Sequence, residues 1–311
     1  MSEFHHVSVL LEECIEALNI KPDGIYVDGT LGGAGHSSRI AAELTTGRLI
    51  GIDRDPVALE AAGERLKPFA DRVTLVHSNF DEMDTVLKDL GISGVDGILM
   101  DLGVSSPQLD DGKRGFSYMA DAPLDMRMNS EDTLDARQIV NGWSYEELKR
   151  ILYDYGEERY APRIAVAICK RREEAPIETT LELVDIIRGA MPAAALREKQ
   201  HPAKRSFQAI RIAVNDELGS VERVMKRAVP CLNPGGRLAV ITFHSLEDRI
   251  VKNAMAEAAK GCICPREFPV CVCGRKPQVK IITRKPITST EAELAANPRA
   301  RSAKLRVCEK L

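Results

Sequence analysis

The stretch VDGTLGGAGHSSRIAAEL, Val27 to Leu44, decides the fold prediction because it joins a strand end, a glycine-rich turn and a helix start. The apolar residues before Asp28 are typical of a buried strand, and the residues after Gly35 favour a helix. Backbone N–H groups at the start of such a helix bind small polar groups where glycines leave room. The stretch therefore predicts a small-ligand site at this turn.

The same alternation of strand and helix patterns continues along the first hundred residues. GRLIGIDRD, RVTLVHSNF and VDGILMDLG are further strand candidates, and helical patterns separate them. One of these helices is DPVALEAAGERLKPF, with Pro56 in its first turn. Strands that alternate with helices predict an α/β fold with a mostly parallel, Rossmann-like sheet.

The alternation stops after Gly103 and resumes at a Pro-Gly-Gly turn before a fifth strand, Arg237 to Phe243. The interval of 237 − 101 = 136 positions from Asp101 is far longer than a crossover connection needs. We therefore expect a sheet core formed by residues 1–105 and 215–311, interrupted by an inserted helical domain at 106–214. The stretch FQAIRIAVNDELGSVERVMKRAV is expected to form one crossover helix, and QVKIITRKP and SAKLRVCEK an antiparallel pair at the sheet edge.

The composition is that of a globular protein and gives no sign of a membrane-spanning or strongly basic chain. The 311 residues are 44% hydrophobic and 29% charged, which is ordinary for a globular chain. The N-terminal stretch carries acids and lacks a cleavage site, and no apolar run reaches the ~18 residues of a membrane span, so we expect a cytoplasmic protein without a membrane partner. The net charge of −3 gives no bulk signal for nucleic acid, although a local basic patch would be enough. The oligomeric state stays open.

The glycine turn indicates which of two cofactors, a dinucleotide or S-adenosylmethionine, fits the sequence better. A dinucleotide fingerprint needs a third glycine for helix packing, and Ser38 follows Gly33-Ala34-Gly35-His36-Ser37 instead, which disfavours a nicotinamide dehydrogenase. An acid at position 28 would repel a pyrophosphate but can hold an ammonium group. S-adenosylmethionine carries an ammonium group, so the turn favours this cofactor.

The next three strand ends support the same interpretation, because ligands of open α/β sheets bind at the carboxyl edge. Asp53 can accept both ribose hydroxyls, Phe80 can flank adenine, and Asp101 faces the same edge. Each feature also has a structural interpretation. The glycines can form an ordinary turn, Asp53 can cap the next helix, Phe80 can belong to the core, and Asp101 can brace a loop.

Long motifs make the chain similar to a known family. DGTLGGAGHS, DLGVSSPQLDD, PLDMRM, HPAKRSFQAIRIAVNDEL, PGGRLAVITFHSLEDRIVK and NPRARSAKLR resemble those of the bacterial 16S ribosomal RNA cytosine-N4 methyltransferases, from about His6 to the C-terminus. The resemblance implies a class I S-adenosylmethionine-dependent methyltransferase fold with an inserted helical domain. It also implies methyl transfer to N4 of a cytidine in the decoding centre of 16S rRNA, on the small ribosomal subunit.

The resemblance and the turn together give a set of cofactor-binding residues. The turn itself contributes Asp28 and Gly33, and the resemblance implies Ala34, Gly35, His36, Asp53, Phe80, Asp101 and Gln108. Two other functions remain as alternatives. One is an amino methyltransferase that acts on DNA or protein, and the other is a non-catalytic nucleic-acid-binding protein.

The cytosine amine is a poor nucleophile because its lone pair is delocalised into the ring, so transfer requires acceptors for its N–H bonds. Asp101, Ser105 and Ser106 are the candidate catalytic acceptors. Many amino methyltransferases carry an aromatic residue in this loop, and DLGVSSPQLDD lacks it. The candidates for holding the base are then Phe116, Tyr118, Phe243 and His244. The competing interpretation is a structural loop with capping serines.

Two basic clusters are candidates for RNA contact. One lies in REKQHPAKRSFQAIR and the other in NPRARSAKLR: Arg197, Lys199, Lys204, Arg205 and Arg211, and Arg299, Arg301, Lys304 and Arg306. Charged runs are usually solvated faces, but both clusters fall in motifs shared with the family, which favours phosphate contact.

The loop CICPREFPVCVCG contains four cysteines: Cys262, Cys264, Cys271 and Cys273. Four thiols in so short a window can close a tetrahedral metal site, and a structural zinc is the candidate ion. The Cys-x-Cys spacing is less typical of zinc than Cys-x-x-Cys, so reduced thiols in a surface loop remain the alternative.

Overall fold

The computed structural model describes residues 8–105, 108, 111–265, 267–268 and 270–311. It divides into two compact units, which we describe separately. The sheet unit combines Met1–Gly103 with Leu218–Leu311, and the helical unit is Val104–Glu217. The bounds expected from the sequence for the inserted segment are 106 and 214.

The sheet unit contains a seven-stranded sheet in the order β3-β2-β1-β4-β5-β7-β6. The strands are β1 (Ile25–Asp28), β2 (Arg48–Asp53), β3 (Val73–His77), β4 (Val95–Asp101), β5 (Leu232–Thr242), β6 (Val279–Ile281) and β7 (Lys304–Lys310). The first five pair in parallel, and β7 runs antiparallel to both β5 and β6. The predicted α/β class and the antiparallel edge pair are confirmed.

The helices are numbered along the chain. They are α1 (Leu11–Leu18), α2 (Gly35–Glu43), α3 (Pro56–Leu66), α4 (Met83–Asp89), α5 (Ala136–Gly142), α6 (Tyr145–Asp154), α7 (Ala161–Glu174), α8 (Thr180–Ala190), α9 (Lys204–Asn215), α10 (Glu217–Cys231), α11 (Ser245–Ala258) and α12 (Glu291–Ala296). None of the helices formed by the described residues has both the length and the apolarity that crossing a bilayer requires.

Successive residues of the central strands point to two different cores. Val27 and Ile50 are fully buried in one core, and Tyr26 and Leu49 are buried in the other. Both faces of the sheet are therefore covered, which explains why these strands are apolar runs instead of alternating ones.

The helical unit has its own apolar core, to which Ile151, Ile164 and Ile187 contribute. Ser144 and Thr179 begin α6 and α8 with capping boxes, in which a glutamate three residues on bonds back to the cap. Within the described part of 106–214, the β pairing is confined to an isolated bridge between Pro123 and Thr179, and no strand of the sheet lies there.

Two local expectations are wrong. The expected single crossover helix is two helices, because Asp216 adopts a left-handed conformation with φ of 47° between α9 and α10. Asp tolerates this conformation better than most residues, since its short side chain bonds locally. The fifth strand begins at Leu232 and not at Arg237, with an irregularity in its pairing to β4 between Val95 and Gly97.

Candidate active site

The turn between β1 and α2 is built from left-handed backbone. Gly32 has φ of 48° and Ala34 has φ of 56°, so the chain reverses tightly before α2 begins at Gly35. A Cβ atom at position 35 would lie 1.8 Å from the Ser8 hydroxyl oxygen, so a larger residue there would displace the Ser8 side chain. The Arg65 guanidinium donates to the Gly33 carbonyl at 2.9 Å and holds the turn from outside. The backbone is thus fixed where a ligand would approach the helix N-terminus.

Asp28 lies at the end of β1 and is buried. Its two carboxylate oxygens accept hydrogen bonds from the Ser37 hydroxyl at 2.7 Å and from the Thr30 N–H at 3.1 Å. Burial raises the pKa of this carboxyl to about 6, and the hydrogen bonds from Ser37 and Thr30 oppose the rise. Both oxygens are therefore partnered inside the turn, and direct contact between Asp28 and a cofactor stays a prediction.

Asp53 ends β2 and links it to the glycine turn. Its carboxylate accepts the Gly32 N–H at 2.7 Å and the Asp55 N–H at 2.9 Å. Burial raises the pKa of Asp53. The helix cap of α3 is Asp55, which accepts the Val57 N–H at 3.1 Å, so capping does not account for Asp53.

The end of β3 brings Asn79 and Phe80 to the same edge. The Phe80 side chain is half-buried, and its Cβ atom would lie 3.2 Å from a Cβ atom at Gly29. The Asn79 side-chain nitrogen donates to the Ser220 hydroxyl at 3.2 Å, while its oxygen is buried without a hydrogen-bond partner among the described residues. A buried amide oxygen in this state is available to accept a bond from a ligand.

Asp101 ends β4, and its backbone N–H donates to the Thr30 hydroxyl. Within the described residues, its Oδ1 atom is buried and has no hydrogen-bond partner. Its Oδ2 atom is 3.9 Å from Nδ1 of His36, which is beyond hydrogen-bond distance. The other ring nitrogen of His36 lies 3.0 Å from the Val9 carbonyl. Burial, and then the charges of Asp28 and Glu247, raise the pKa of Asp101 well above its ordinary value.

We call Asp28, Asp53 and Asp101 the acidic crevice. Burial is the largest cause of the raised pKa of each carboxyl, and the charge of a second member raises the pKa of Asp28 and Asp101 further. Perturbed carboxyls in a cleft mark a candidate functional site, and a cation bound among them would relieve both effects. The ammonium and sulfonium charges of S-adenosylmethionine fit this environment, whereas a pyrophosphate does not.

Glu247 is a site residue that the sequence analysis missed. It is buried on α11, and its carboxylate accepts the backbone N–H of Phe243 at 2.8 Å and of His244 at 3.3 Å. His244 caps α11, and its ring nitrogen lies 3.1 Å from Glu247. The His-x-x-Glu spacing matches a capping box, but histidine is not a usual cap, so the sequence pattern alone does not indicate one.

Ser105 and Gln108 bond reciprocally in the helical unit. The Ser105 N–H donates to the Gln108 side-chain oxygen at 3.1 Å, and the Gln108 N–H donates to the Ser105 hydroxyl at 3.4 Å. This is the geometry of a cap, as in the competing interpretation of the loop. Ser106, the third catalytic candidate, lies outside the described residues. The catalytic role of both serines and the cofactor contact of Gln108 stay predictions.

The four base-holding candidates lie in different environments. In the helical unit, Phe116 is buried, and the Tyr118 ring stacks on His201 with centroids 4.6 Å apart. In the sheet unit, Phe243 is half-buried beside Gly103. His244 is the cap described above. The Tyr118 ring is therefore already engaged on one face.

The basic clusters separate into structural and exposed members. The Arg211 guanidinium pairs with Glu217 at 2.7 Å, and that of Arg306 pairs with Asp248 at 2.6 Å. Lys304 also reaches Asp248, at 3.3 Å, and Arg205 is half-buried. The exposed members are Arg197, Lys199, Lys204, Arg299 and Arg301. These five are the basic side chains of the clusters that face solvent.

The four loop cysteines lie together, with their sulfur atoms all within 4.8 Å of one another. The set comprises Cys262, Cys264, Cys271 and Cys273. Metal binding by this set stays a prediction.

Comparison with known proteins identifies the family. The model of the MraW methylase family matches residues 3–311. A ribosomal RNA small subunit methyltransferase H from Brevibacillus brevis is 60% identical over 309 residues, which are 99% of this chain and 98% of the relative. Proteins of the same name from Heliobacterium modesticaldum and a Geobacter species are 59% and 56% identical, covering 99% and 100% of this chain and 99% and 100% of their own. The chain belongs to the MraW methylase family.

Proposed function

We propose that this protein transfers the methyl group of S-adenosylmethionine to N4 of a cytidine of 16S rRNA in the small ribosomal subunit. The observation that carries the chemistry is the buried Asp101 oxygen that has no hydrogen-bond partner among the described residues. Family membership and the shared name of relatives that are 56–60% identical support rRNA of the small subunit over DNA or protein as the substrate.

The cofactor is held by the carboxyl edge of the sheet. S-adenosylmethionine, when bound, supplies an electrophilic methyl group on a sulfonium centre. Asp53 would accept the ribose hydroxyls with the lone pairs that its backbone N–H partners, Gly32 and Asp55 among them, leave over, and Phe80 would flank the adenine. The backbone of Gly33 to His36 would hold the amino-acid end of the cofactor, and Asp28 would supply negative charge to its ammonium group. Gln108 completes the set that the family resemblance implies.

Asp101 prepares the cytosine amine. Its Oδ1 atom, for which the described part of the chain offers no hydrogen-bond partner, would accept one amino N–H, which localises the nitrogen lone pair and aligns it for attack. Methyl transfer would form the N–C bond and break the bond between the methyl group and sulfur, which leaves S-adenosylhomocysteine. The nitrogen would then carry an excess proton, which the same carboxylate accepts. A carboxylate whose pKa is raised by burial accepts a proton more readily than an ordinary one. Ser105 and Ser106 are additional acceptors in this proposal.

RNA binding relies on the exposed basic side chains of the two clusters. Phosphate contacts fix position, and each one makes binding depend on salt. Because the substrate belongs to the ribosome, we infer that the protein acts in the cytoplasm.

The test is methyl transfer to small subunits from cells that lack this protein, with tritiated S-adenosylmethionine and identification of the labelled nucleoside by mass spectrometry. The wild-type protein is expected to give N4-methylcytidine. Asp101→Asn keeps the shape of the side chain and removes its charge. We expect it to lower the transfer rate by about 10²–10⁴-fold, the range for loss of a positioned acid–base group.

Asp71→Asn is the matched control, because Asp71 is an exposed carboxylate paired with Arg72. It should methylate subunits at the wild-type rate. A different methylated nucleoside would refute the substrate, and an Asp101→Asn variant as active as the control would refute the role of Asp101.

A further inference from the structure

The segment 259–278 connects α11 to β6 without helix or strand among its described residues. Its base is closed, because the Gln278 N–H donates to the Ala258 carbonyl at 2.8 Å and Arg275 pairs with Glu257 at 2.7 Å. Connections of this length without secondary structure are uncommon in compact domains and are usually either functional loops or linkers. The segment carries four cysteines that we call the cysteine quartet: Cys262, Cys264, Cys271 and Cys273.

Apolar burial does not hold the described residues of this segment together. Val270 and Val272 are 70% and 72% exposed, and Ile263 and Phe268 are at least half exposed. A loop that exposes its large apolar residues gains little from the hydrophobic effect, so another interaction must offset the entropy lost on ordering it. Small folds that lack a core commonly use metal ions or disulfides for this purpose.

The sulfur spacing matches metal ligation and not a disulfide. The sulfur of Cys273 lies 3.6 Å from that of Cys271 and 3.7 Å from that of Cys262. A regular tetrahedron with Zn–S bonds of about 2.3 Å has edges of about 3.8 Å. A disulfide bond would instead place two sulfurs about 2.05 Å apart.

Backbone groups are also oriented toward the sulfurs. The Cys264 N–H donates to the Cys262 sulfur at 3.4 Å, and the Val272 N–H donates to the Cys264 sulfur at 3.4 Å. Such donors stabilise thiolates, the form that ligates a metal, and they fix the orientation of the ligands. The two Cys-x-Cys pairs therefore provide four sulfur ligands and also backbone N–H groups that orient them.

We propose that the cysteine quartet binds one zinc ion as a closed, structural tetrathiolate site. Four thiolates fill the tetrahedral coordination of zinc and leave no position for water or substrate, so the site orders the loop and has no part in methyl transfer. Binding forms four Zn–S bonds and releases the thiol protons to solvent. The site is separate from the acidic crevice, and its test is independent of the proposed function.

Metal content of the full-length protein, purified without chelators, tests the proposal directly. Elemental mass spectrometry should find one zinc per chain. Cys262→Ser and Cys273→Ser should each lose most of it, and Cys231→Ser, a half-buried cysteine outside the loop, should keep it. Replacement by cobalt(II) should give the intense visible bands of a tetrahedral thiolate site.

Hydrogen exchange covers the case in which the serine variants do not fold. Removing the metal from the wild-type protein with a chelator should accelerate amide exchange in 259–278 and leave β4 unchanged. The proposal is overturned if the wild-type protein binds neither zinc nor cobalt after reduction, or if the quartet reacts with thiol reagents as four free thiols at the same rate with and without zinc.

Discussion

Asp28 is expected to destabilise the folded protein at neutral pH. Burial raises its pKa from 3.8 to about 6, so the folded state holds a proton that the unfolded state has released over that interval. The contribution to stability is complete below pH 3.8 and is lost as the pH rises through 6. A shift of about two units corresponds to about 3 kcal/mol of unfolding free energy.

Asp28→Asn removes this titration while it preserves the hydrogen bonds. The amide oxygen can accept the Thr30 N–H, and the amide nitrogen can donate to the Ser37 hydroxyl. The variant should therefore gain stability relative to the wild type as the pH rises from 4 to 7.5, by about 3 kcal/mol in total. Asp71→Asn, at an exposed carboxylate whose pKa is lowered by Arg72, should show no such gain.

Urea unfolding at a series of pH values measures this difference. Far-ultraviolet circular dichroism follows the whole chain. Trp143, the single tryptophan, lies in the helical unit and reports on that unit by fluorescence. If the unfolding free energies of the wild type and Asp28→Asn run parallel across this pH range, burial does not raise the pKa of the Asp28 carboxyl.

The remaining predictions concern binding. Asp53→Ala should weaken S-adenosylmethionine binding in calorimetry by about 1.5–3 kcal/mol for each ribose hydrogen bond lost, and an unchanged affinity would exclude the ribose assignment. Affinity for S-adenosylmethionine should rise with pH as the carboxyls of the acidic crevice ionise. Affinity for S-adenosylhomocysteine, which lacks the sulfonium charge, should rise less steeply. Equal slopes for the two ligands would argue against binding of a cation in the acidic crevice. Lys199→Ala combined with Arg301→Ala should reduce the salt dependence of binding to small subunits by about one unit of slope per lost phosphate contact, without changing cofactor affinity. The control is Lys88→Ala combined with Lys226→Ala, because both lysines are exposed and lie outside the two clusters. An equal reduction of the salt dependence in this control would show that the contacts of the clusters are not specific.

The sheet could be predicted because its strands are short apolar runs that end in polar residues. Asp53 and Asp101 each end a strand both in the sequence pattern and in the structure. The break at Asp216 could not be predicted, since the apolar spacing of α9 continues into α10 and only the backbone conformation of one residue interrupts it. Periodicity specifies which face is buried, but it does not report a local reversal.

For a similar reason, the sequence does not predict which side chains form ion pairs with each other. Arg306 and Arg211 resemble RNA-binding residues in a linear motif, yet each pairs with an acid that only the fold brings near. Glu247 lies far along the chain from Asp101, and its electrostatic effect on that carboxyl arises because α11 follows β5, the neighbour of β4. Local patterns predict candidates, and the tertiary structure decides which of them are free to bind a ligand.

The separation of charge in this protein constrains how an RNA can enter the site. The acidic crevice repels phosphate, whereas cytosine itself carries no charge. In the proposed function, the base would therefore be extruded from its strand to reach Asp101, and exposed basic side chains such as Arg301 would contact the phosphates. A free nucleotide offers a single phosphate next to its base, and a short single strand offers few of the remote contacts that would offset the cost of extrusion. An overall charge of −3 is thus compatible with an RNA substrate, provided that the substrate is large and folded.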